Sequence, residues 1–437
     1  MSSIEDFFKL KENKTTVGTE VRAGVATFLT MAYIIVVNPG ILSNAGMPFA
    51  GVLFATVLVA ALSSILMGLA TNLPFAIAPG MGLNAFFAFS LCLGMGVAWQ
   101  TALGVVFISG VIFLILSVTG VREAILRAVP ANLRYGVAAG IGLFLSIIGL
   151  TSVNFIVTSK ATTVTFGGLN PVTILFLIGL AVTGLLVARK VKGALIIGII
   201  VTSILSLIAS KTIDGAAGIV KVPDSIVAAP SFEVFFQLDI IGALSISLIA
   251  PIFTFLFTDI FDSLSTFLGV SEVGGFIQKD GQPKNVGKAL MVDAVATTVS
   301  GLFGTSSGTT YIESASGIEE GGRTGLTAVV TGLLFLPFMF LSPLLSFVPG
   351  VATAPILVLI GLFMMRPVAK IAWDNYEESI PAFLSLILIP LTYSITQGII
   401  WGFLSYTFLK IMKGKFKELP LMIYIIDIGA IFALIVS

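Results

Sequence analysis

The segment Gly304–Gly317, GTSSGTTYIESASG, sets a glutamate, Glu313, in a run of glycines and hydroxyls between two apolar stretches. Glycine is conformationally loose and hydroxyls compete for backbone hydrogen bonds, so such a run makes a poor lipid-facing helix. The surrounding chain of 437 residues is 57% hydrophobic and 10% charged, where a soluble domain carries roughly 25% charge. Most of its surface must therefore face a lipid bilayer. Irregular backbone at membrane depth survives only where protein or a water-filled cavity satisfies its polar groups. The segment thus predicts a short extended piece, then a half-helix starting near Thr309 or Thr310. Glu313 would lie in its first turn, where free amides and the positive helix end favour an anion.

Outward from this segment, apolar blocks fall near 21–43, 51–70, 75–93, 98–118, 134–157, 171–189, 193–209, 243–268, 286–304, 309–319, 322–345, 350–366, 379–393, 396–412 and 418–436. About twenty apolar residues cross a bilayer. The stretch 379–412, broken by Pro390 and Gly398, reads as one bent span or two short ones, so the expectation is about fourteen transmembrane segments in an all-α polytopic membrane protein. The polar start, MSSIEDFFKLKENKTTVGTE, does not read as a cleaved signal peptide. Basic residues place the N-terminus in the cytoplasm: Lys9, Lys11, Lys14 and Arg22 precede the first span, Arg122, Arg127 and Arg134 follow the fourth, Arg189, Lys190 and Lys192 the sixth, and Lys279, Lys284 and Lys288 the eighth. The 210–239 loop offsets two lysines with Asp214, Asp224, Glu233 and Asp239, as suits the opposite side. Lys410, Lys413, Lys415 and Lys417 fit the cytoplasm only for some ways of cutting 379–412.

A weak repeat divides the chain. QTALGVVFISG (100–110) resembles RTGLTAVVTG (323–332), and each follows a Gly-rich segment, APGMGLNAFFAF (78–89) or the opening stretch. Seven spans per half, an odd number, would invert one half relative to the other, as in many secondary transporters. Chance similarity in Gly-rich apolar sequence is the plain alternative.

An acid at a helix centre costs about 2.5–3.5 kcal/mol on insertion scales, yet four acids cluster in the second half. Asp259 and Asp262 lie three apart in FTFLFTDIFDSLSTFLG, on one helical face. Asp293 lies in MVDAVATTVSG, and Glu313 in the opening segment, with few cations nearby in the sequence. These carboxylates could simply bond to neighbouring hydroxyls and helix ends; Asp293 has the least distinctive context. In the first half Pro79, Gly80 and Gly82 break the helix, with Asn84 near its restart. Two facing breaks suit a flat polar solute at the midplane. Glu313 and Asp259 would accept from its N–H groups, Asn84 would donate and accept, and Phe86, Phe87, Tyr311 and Phe261 would cover its face or serve as packing.

VRAGVATFLTMAYIIVVNPGIL, APGMGLNAFF, FTDIFDSLSTFLG and GTTYIESASGIEEGGRTGLTAVVTG, in this order, resemble the AzgA-like purine permeases of the nucleobase–cation symporter-2 superfamily, over essentially the whole chain. The resemblance implies two inverted repeats of seven segments, with a core domain (segments 1–4 and 8–11) and a gate domain (5–7 and 12–14). On this chain that gives a cytoplasmic tail at 1–20, core at 21–120 and 240–347, gate at 121–210 and 348–437, and an extracytoplasmic loop at 211–239. It also implies uptake of hypoxanthine, guanine or adenine with protons across the inner membrane. Asp259 best matches the family's eighth-segment acid, with Asp262 its rival, and YIES places the tenth-segment acid at Glu313. Substrate contacts then fall on Asp259, Glu313, Asn84, Gly80, Gly82 and Thr310, and proton coupling on Glu313, Asp259 and Asp262. Relatives carrying uracil or xanthine often use a histidine; this chain has none, so that role has no counterpart. The fifteenth apolar block is a further departure.

Competing classes have less support. An anion transporter of a related inverted-repeat fold sits poorly with four intramembrane acids, and a channel would not concentrate its cargo. An embedded enzyme lacks a His/Cys metal set, a P-loop and a Ser–His pair, and no cofactor motif is present. Net charge of +1 argues against nucleic acid, and the single cysteine, Cys92, excludes disulfides within the chain. The Gly-rich spans serve packing within one subunit or in a homodimer equally well.

Overall fold

Each end of a helix leaves unpaired backbone groups, and this chain supplies them with local partners. The computed structural model describes residues 2–119, 129–213, 219–220, 225–278 and 283–436. Arg122, Arg127, Lys279, Asp214 and Asp224, used above for orientation, lie outside them. The first half holds α1 (Val17–Met31), α2 (Ile34–Leu42), α3 (Phe49–Thr71), β1 (Ile77–Pro79), α4 (Met81–Ala85, continued as a π-helix over Phe86–Gly94) and α5 (Trp99–Thr119). It continues with α6 (Ala131–Ser152), the hairpin β2 (Ile156–Ser159) and β3 (Thr163–Phe166), α7 (Pro171–Ala188) and α8 (Ala194–Thr212). The second half holds α9 (Ile249–Gly274), α10 (Val286–Phe303), β4 (Gly308–Thr310), α11 (Ser314–Glu319), α12 (Gly325–Phe335), α13 (Gly350–Met364), α14 (Tyr376–Thr392), α15 (Ile395–Met412) and α16 (Leu421–Val436). The Thr16 hydroxyl caps α1 and the Thr324 hydroxyl α12, while Asn170 forms a capping box with Thr173 ahead of Pro171 on α7.

Among the described residues nine helices are long and apolar enough to cross a membrane, and shorter apolar helices accompany them. The chain is a mostly helical, multi-pass membrane protein. Strands are the exception. β1 and β4 pair antiparallel, Ile77 opposite Thr310 and Pro79 opposite Gly308, so the two breaks in the helical pattern satisfy each other's backbone. Ser64 extends the pairing by exchanging hydrogen bonds with the Ile77 N–H and C=O.

The helices fall into two packed groups. In one, α12 lies against α3 and α1, and α10 against α5 and α3. The repeat motifs sit on α5 and α12, so each motif helix packs on a helix of the other half. Contact is closest where α3 meets α12: a Cβ on Gly325 would stand 1.9 Å from the Gly68 carbonyl oxygen, and one on Gly68 2.3 Å from that of Gly325. In the other group α6 packs on α13 and α14, α7 on α8, and α14 on α15. Here Gly142 meets Gly361 in the same way. Small residues let backbones approach where apolar lipid gives helices no hydrophobic reason to associate.

The stretch 379–412 forms two helices, α14 and α15, joined at Tyr393, whose φ is +52°. The turn returns Lys413 and Lys415 to the head of α14, where each approaches Glu377 at 2.8 Å. The lysines whose side could not be read from sequence thus lie at the end of the bundle where α14 begins. The last apolar block forms α16, packed on α15 and α9.

Candidate functional site

The site grows from the β1–β4 pair. Beyond it the Gly80 N–H donates to the Ser307 carbonyl (2.9 Å) and the Tyr311 N–H to the Ala76 carbonyl (2.9 Å). Strand geometry runs through Thr310 and the helix starts at Ser314, four residues later than expected from Thr310. The β1 partner explains the delay, because it holds Gly308–Thr310 extended. Glu313 therefore stands at the cap position of α11, not in its first turn. Its Oε1 accepts from the Tyr33 hydroxyl at 2.8 Å. Tyr33 lies in the interruption between α1 and α2 and is buried, its ring centroid 6.5 Å from that of Tyr311. Tyr311 in turn donates to the Pro79 carbonyl at 2.5 Å.

Two other acids connect to β4 itself, Asp293 directly and Asp259 through Thr297. Asp259 is 1% exposed; its Oδ2 accepts from the Thr297 hydroxyl at 2.5 Å, and its Oδ1 has no partner among the described residues. Thr297 also reaches the Gly308 carbonyl, at 3.2 Å, which ties α9 to β4 through α10. The Thr310 hydroxyl donates to Asp293 Oδ1 at 2.9 Å, so Thr310 is committed to a neighbouring carboxylate. Asn84 is fully buried: Oδ1 accepts from the Ser306 hydroxyl at 2.6 Å, and Nδ2 faces the Pro79 carbonyl at 3.4 Å. It pins one break to the other.

Asp259 and Asp262 share a side of α9, as their spacing requires, yet meet different surroundings. Asp262 lines a crevice between the two helix groups, with Gly82, Phe261 and Thr258 on one wall and Arg134 and Ile141 on the other. A Cβ on Gly82 would lie 2.6 Å from Ile141 Cγ2, and one on Gly80 2.8 Å from the Thr309 hydroxyl, so only glycine lets α4 approach α6 and β4 this closely. The crevice is narrow, with a volume of about 50 Å³. Arg134, counted above as a loop cation, belongs to the first turn of α6. The chain order hides it, because the acids it faces lie more than a hundred residues away.

A second crevice, about 250 Å³, lies between the groups on the Glu313 side and is lined by Thr30, Lys190, Lys192, Glu313, Glu319 and Phe363 among others. Lys192 at its edge pairs with Glu320 and holds that carboxyl below the usual range. An apolar cleft of about 210 Å³ between α9, α15 and α16 has no charged lining residue and suits no polar solute. Among the described residues no His/Cys/Asp/Glu group could hold a metal ion.

Not every buried acid belongs to the site. Glu20, not singled out in the sequence, is fully buried in α1 and accepts from the Arg323 N–H (2.9 Å), the Thr324 N–H (3.3 Å) and the Thr327 hydroxyl (2.6 Å). It caps α12 from another helix. Tyr33, also missed, carried no sequence signal beyond its place in MAYIIVVNPG.

The sequence profile of a family described as "Permease family" matches residues 18–401. The chain is 41% identical to the adenine permease AdeQ of Escherichia coli over 433 residues, 99% of this chain and 96% of that one. It is 42% identical to the guanine/hypoxanthine permease PbuO of Bacillus subtilis, covering 95% of this chain and 97% of that one. Among solved structures the transmembrane domain of a cyanobacterial bicarbonate transporter, BicA, superposes with a TM-score of 0.65 over 88% of this chain and 97% of that one. Identity there is 16%, so the likeness establishes the fold, that of inverted-repeat transporters, and nothing of the cargo.

Proposed function

This chain belongs to the Permease family, and from that membership we propose that it imports purine nucleobases, hypoxanthine and guanine or adenine, by proton symport across the cytoplasmic membrane with its N-terminus inside. The relatives named for adenine and for guanine/hypoxanthine support the cargo. The first packed group is the core domain (segments 1–4 and 8–11) and the second the gate domain (5–7 and 12–14). The base binds at mid-membrane where the two broken segments meet α9, and the observation that carries this reading is the run of carboxylates along β4.

Asp259, with one buried oxygen unpartnered, accepts from the base, as does Glu313. Gly80 and Gly82 let the backbone of the first break approach. Asn84 and Thr310 act through Ser306 and Asp293, holding the breaks in register. Asp262 and Glu313, each lining a crevice between the domains, exchange the proton. A crevice of about 50 Å³ must widen to admit a base, so binding is tied to movement of core against gate.

The test is uptake of radiolabelled hypoxanthine, guanine, adenine and uracil into cells lacking their own base permeases, with and without a protonophore, for wild type and Glu313→Gln. Purine accumulation that collapses with the protonophore and with the substitution supports the reading. Wild-type accumulation by Glu313→Gln would remove Glu313 from the coupling path, and no purine uptake by well-expressed protein would remove the cargo.

A further inference from the structure

Arg134 and Asp262 carry opposite charges on opposite walls of one crevice, Arg134 on gate helix α6 and Asp262 on core helix α9. The guanidinium carbon stands 5.6 Å from the centroid of the Phe261 ring, the residue next to Asp262 in the chain. Its Nε has no hydrogen-bond partner among the described residues. Neither Arg134 nor Asp262 is in an ion pair among them. Among the other carboxylates, Glu378 of α14 accepts from the Asn132 amide, and Asp259, Asp293 and Glu313 accept from Thr297, Thr310 and Tyr33. A long side chain resting on a ring beside an acid can exchange a cation–π contact for a planar, two-bond grip on a carboxylate.

We propose that Arg134 is the counter-charge of Asp262 in the return half of the transport cycle, a role that rests on the symport reading above. Once base and proton have left, Asp262 is a bare carboxylate at the seam between the domains. Closing the seam over an unpaired charge is costly, and closing it over an ion pair much less so. The guanidinium moves from the Phe261 ring to the carboxylate, the pair is neutral, and the empty carrier reorients without carrying a proton back. When the next proton reaches Asp262 the pair dissolves and Arg134 returns to the ring. Arg134 is thus a positioning residue for coupling and touches no substrate.

Net uptake needs the empty carrier to return, whereas counterflow, in which labelled base exchanges for unlabelled base inside, uses only the loaded carrier. Both are measured in proteoliposomes containing the full chain. Arg134→Gln is expected to lower net uptake at least about tenfold, the order set by one unpaired charge at membrane depth, while counterflow stays within about twofold. Arg134→Lys, which keeps the charge, restores part of the net uptake. In an Asp262→Asn background, where no carboxylate forms, Arg134→Gln adds no further loss. Equal loss of net uptake and counterflow in Arg134→Gln, at wild-type abundance and melting temperature, would overturn the proposal. So would an undiminished effect of Arg134→Gln on the Asp262→Asn background. Wild type that neither accumulates nor exchanges purines would instead overturn the symport reading, so the two failures are distinct.

Discussion

Asp259 and Glu313 both lie near one short strand, and their partners differ in kind. Asp259 accepts a single hydroxyl and keeps one buried oxygen unpartnered; a carboxylate has acceptor capacity to spare, and a buried one left unused is costly. Asp259→Asn replaces an acceptor oxygen by a donor. It is expected to raise the apparent KM for purine at least tenfold, as the loss of roughly 1.5–3 kcal/mol in a charge-assisted bond implies; unchanged kinetics would transfer the substrate role to Asp262. Glu313 is held by Tyr33, and Tyr33→Phe removes that donor alone. Net accumulation should fall about tenfold by the same estimate, with the melting temperature little changed. Full accumulation by Tyr33→Phe would show that the 2.8 Å contact only packs the site.

Helix contacts are where backbone geometry becomes stability. Gly68 and Gly325 bring α3 and α12 together backbone to backbone, and a side chain there must push the helices apart. Gly325→Val is expected to cost about 1–3 kcal/mol or more, the range for overpacking a filled interface, read as a lower melting temperature or loss of folded protein in detergent. A melting temperature equal to wild type would mean the crossing is looser than drawn. At the head of α14, outside the apolar stretch that begins at Ser379, Lys413 and Lys415 hold the Glu377 carboxyl down at about 2, with Lys410 contributing. A depressed carboxyl stabilises the fold above its ordinary value of 4.5, and the benefit is lost as pH falls toward 2. Melting of Glu377→Gln should therefore lie below wild type at neutral pH and converge with it under acid. A constant difference at every pH would assign the effect to packing instead.

Across the whole molecule, the two packed helix groups also meet at polar points. The Ser90 hydroxyl donates to the Tyr393 carbonyl at 2.5 Å, and Thr254 meets Thr396 at 2.9 Å; Lys192 pairs with Glu320 beside the crevice that holds Glu313. If the domains move against each other, that pair must break in each cycle. Lys192→Cys/Glu320→Cys, oxidised, should arrest uptake, and reductant should restore it; the native Cys92 is buried elsewhere and does not compete. Uptake that continues in fully crosslinked protein would show that the domains work without parting there.

The chain by itself determined the solvent, the helical multi-pass character, the two breaks and the acids between them. Hydrophobicity and glycine act locally, so composition and spacing record them. Only the tertiary structure decided what each acid meets. Asp259 turns to Thr297 and Asp262 to the seam; Glu313 takes its donor from Tyr33, 280 residues away; Glu20 is a cap for a helix from the other half. Pairing of β1 with β4 moved the start of α11 from Thr310 to Ser314, because an extended partner outweighs local helix preference. Arg134 read as a loop charge until the fold set its guanidinium over the Phe261 ring of α9. Contacts of this kind depend on which helices are neighbours in space, which no window of sequence contains.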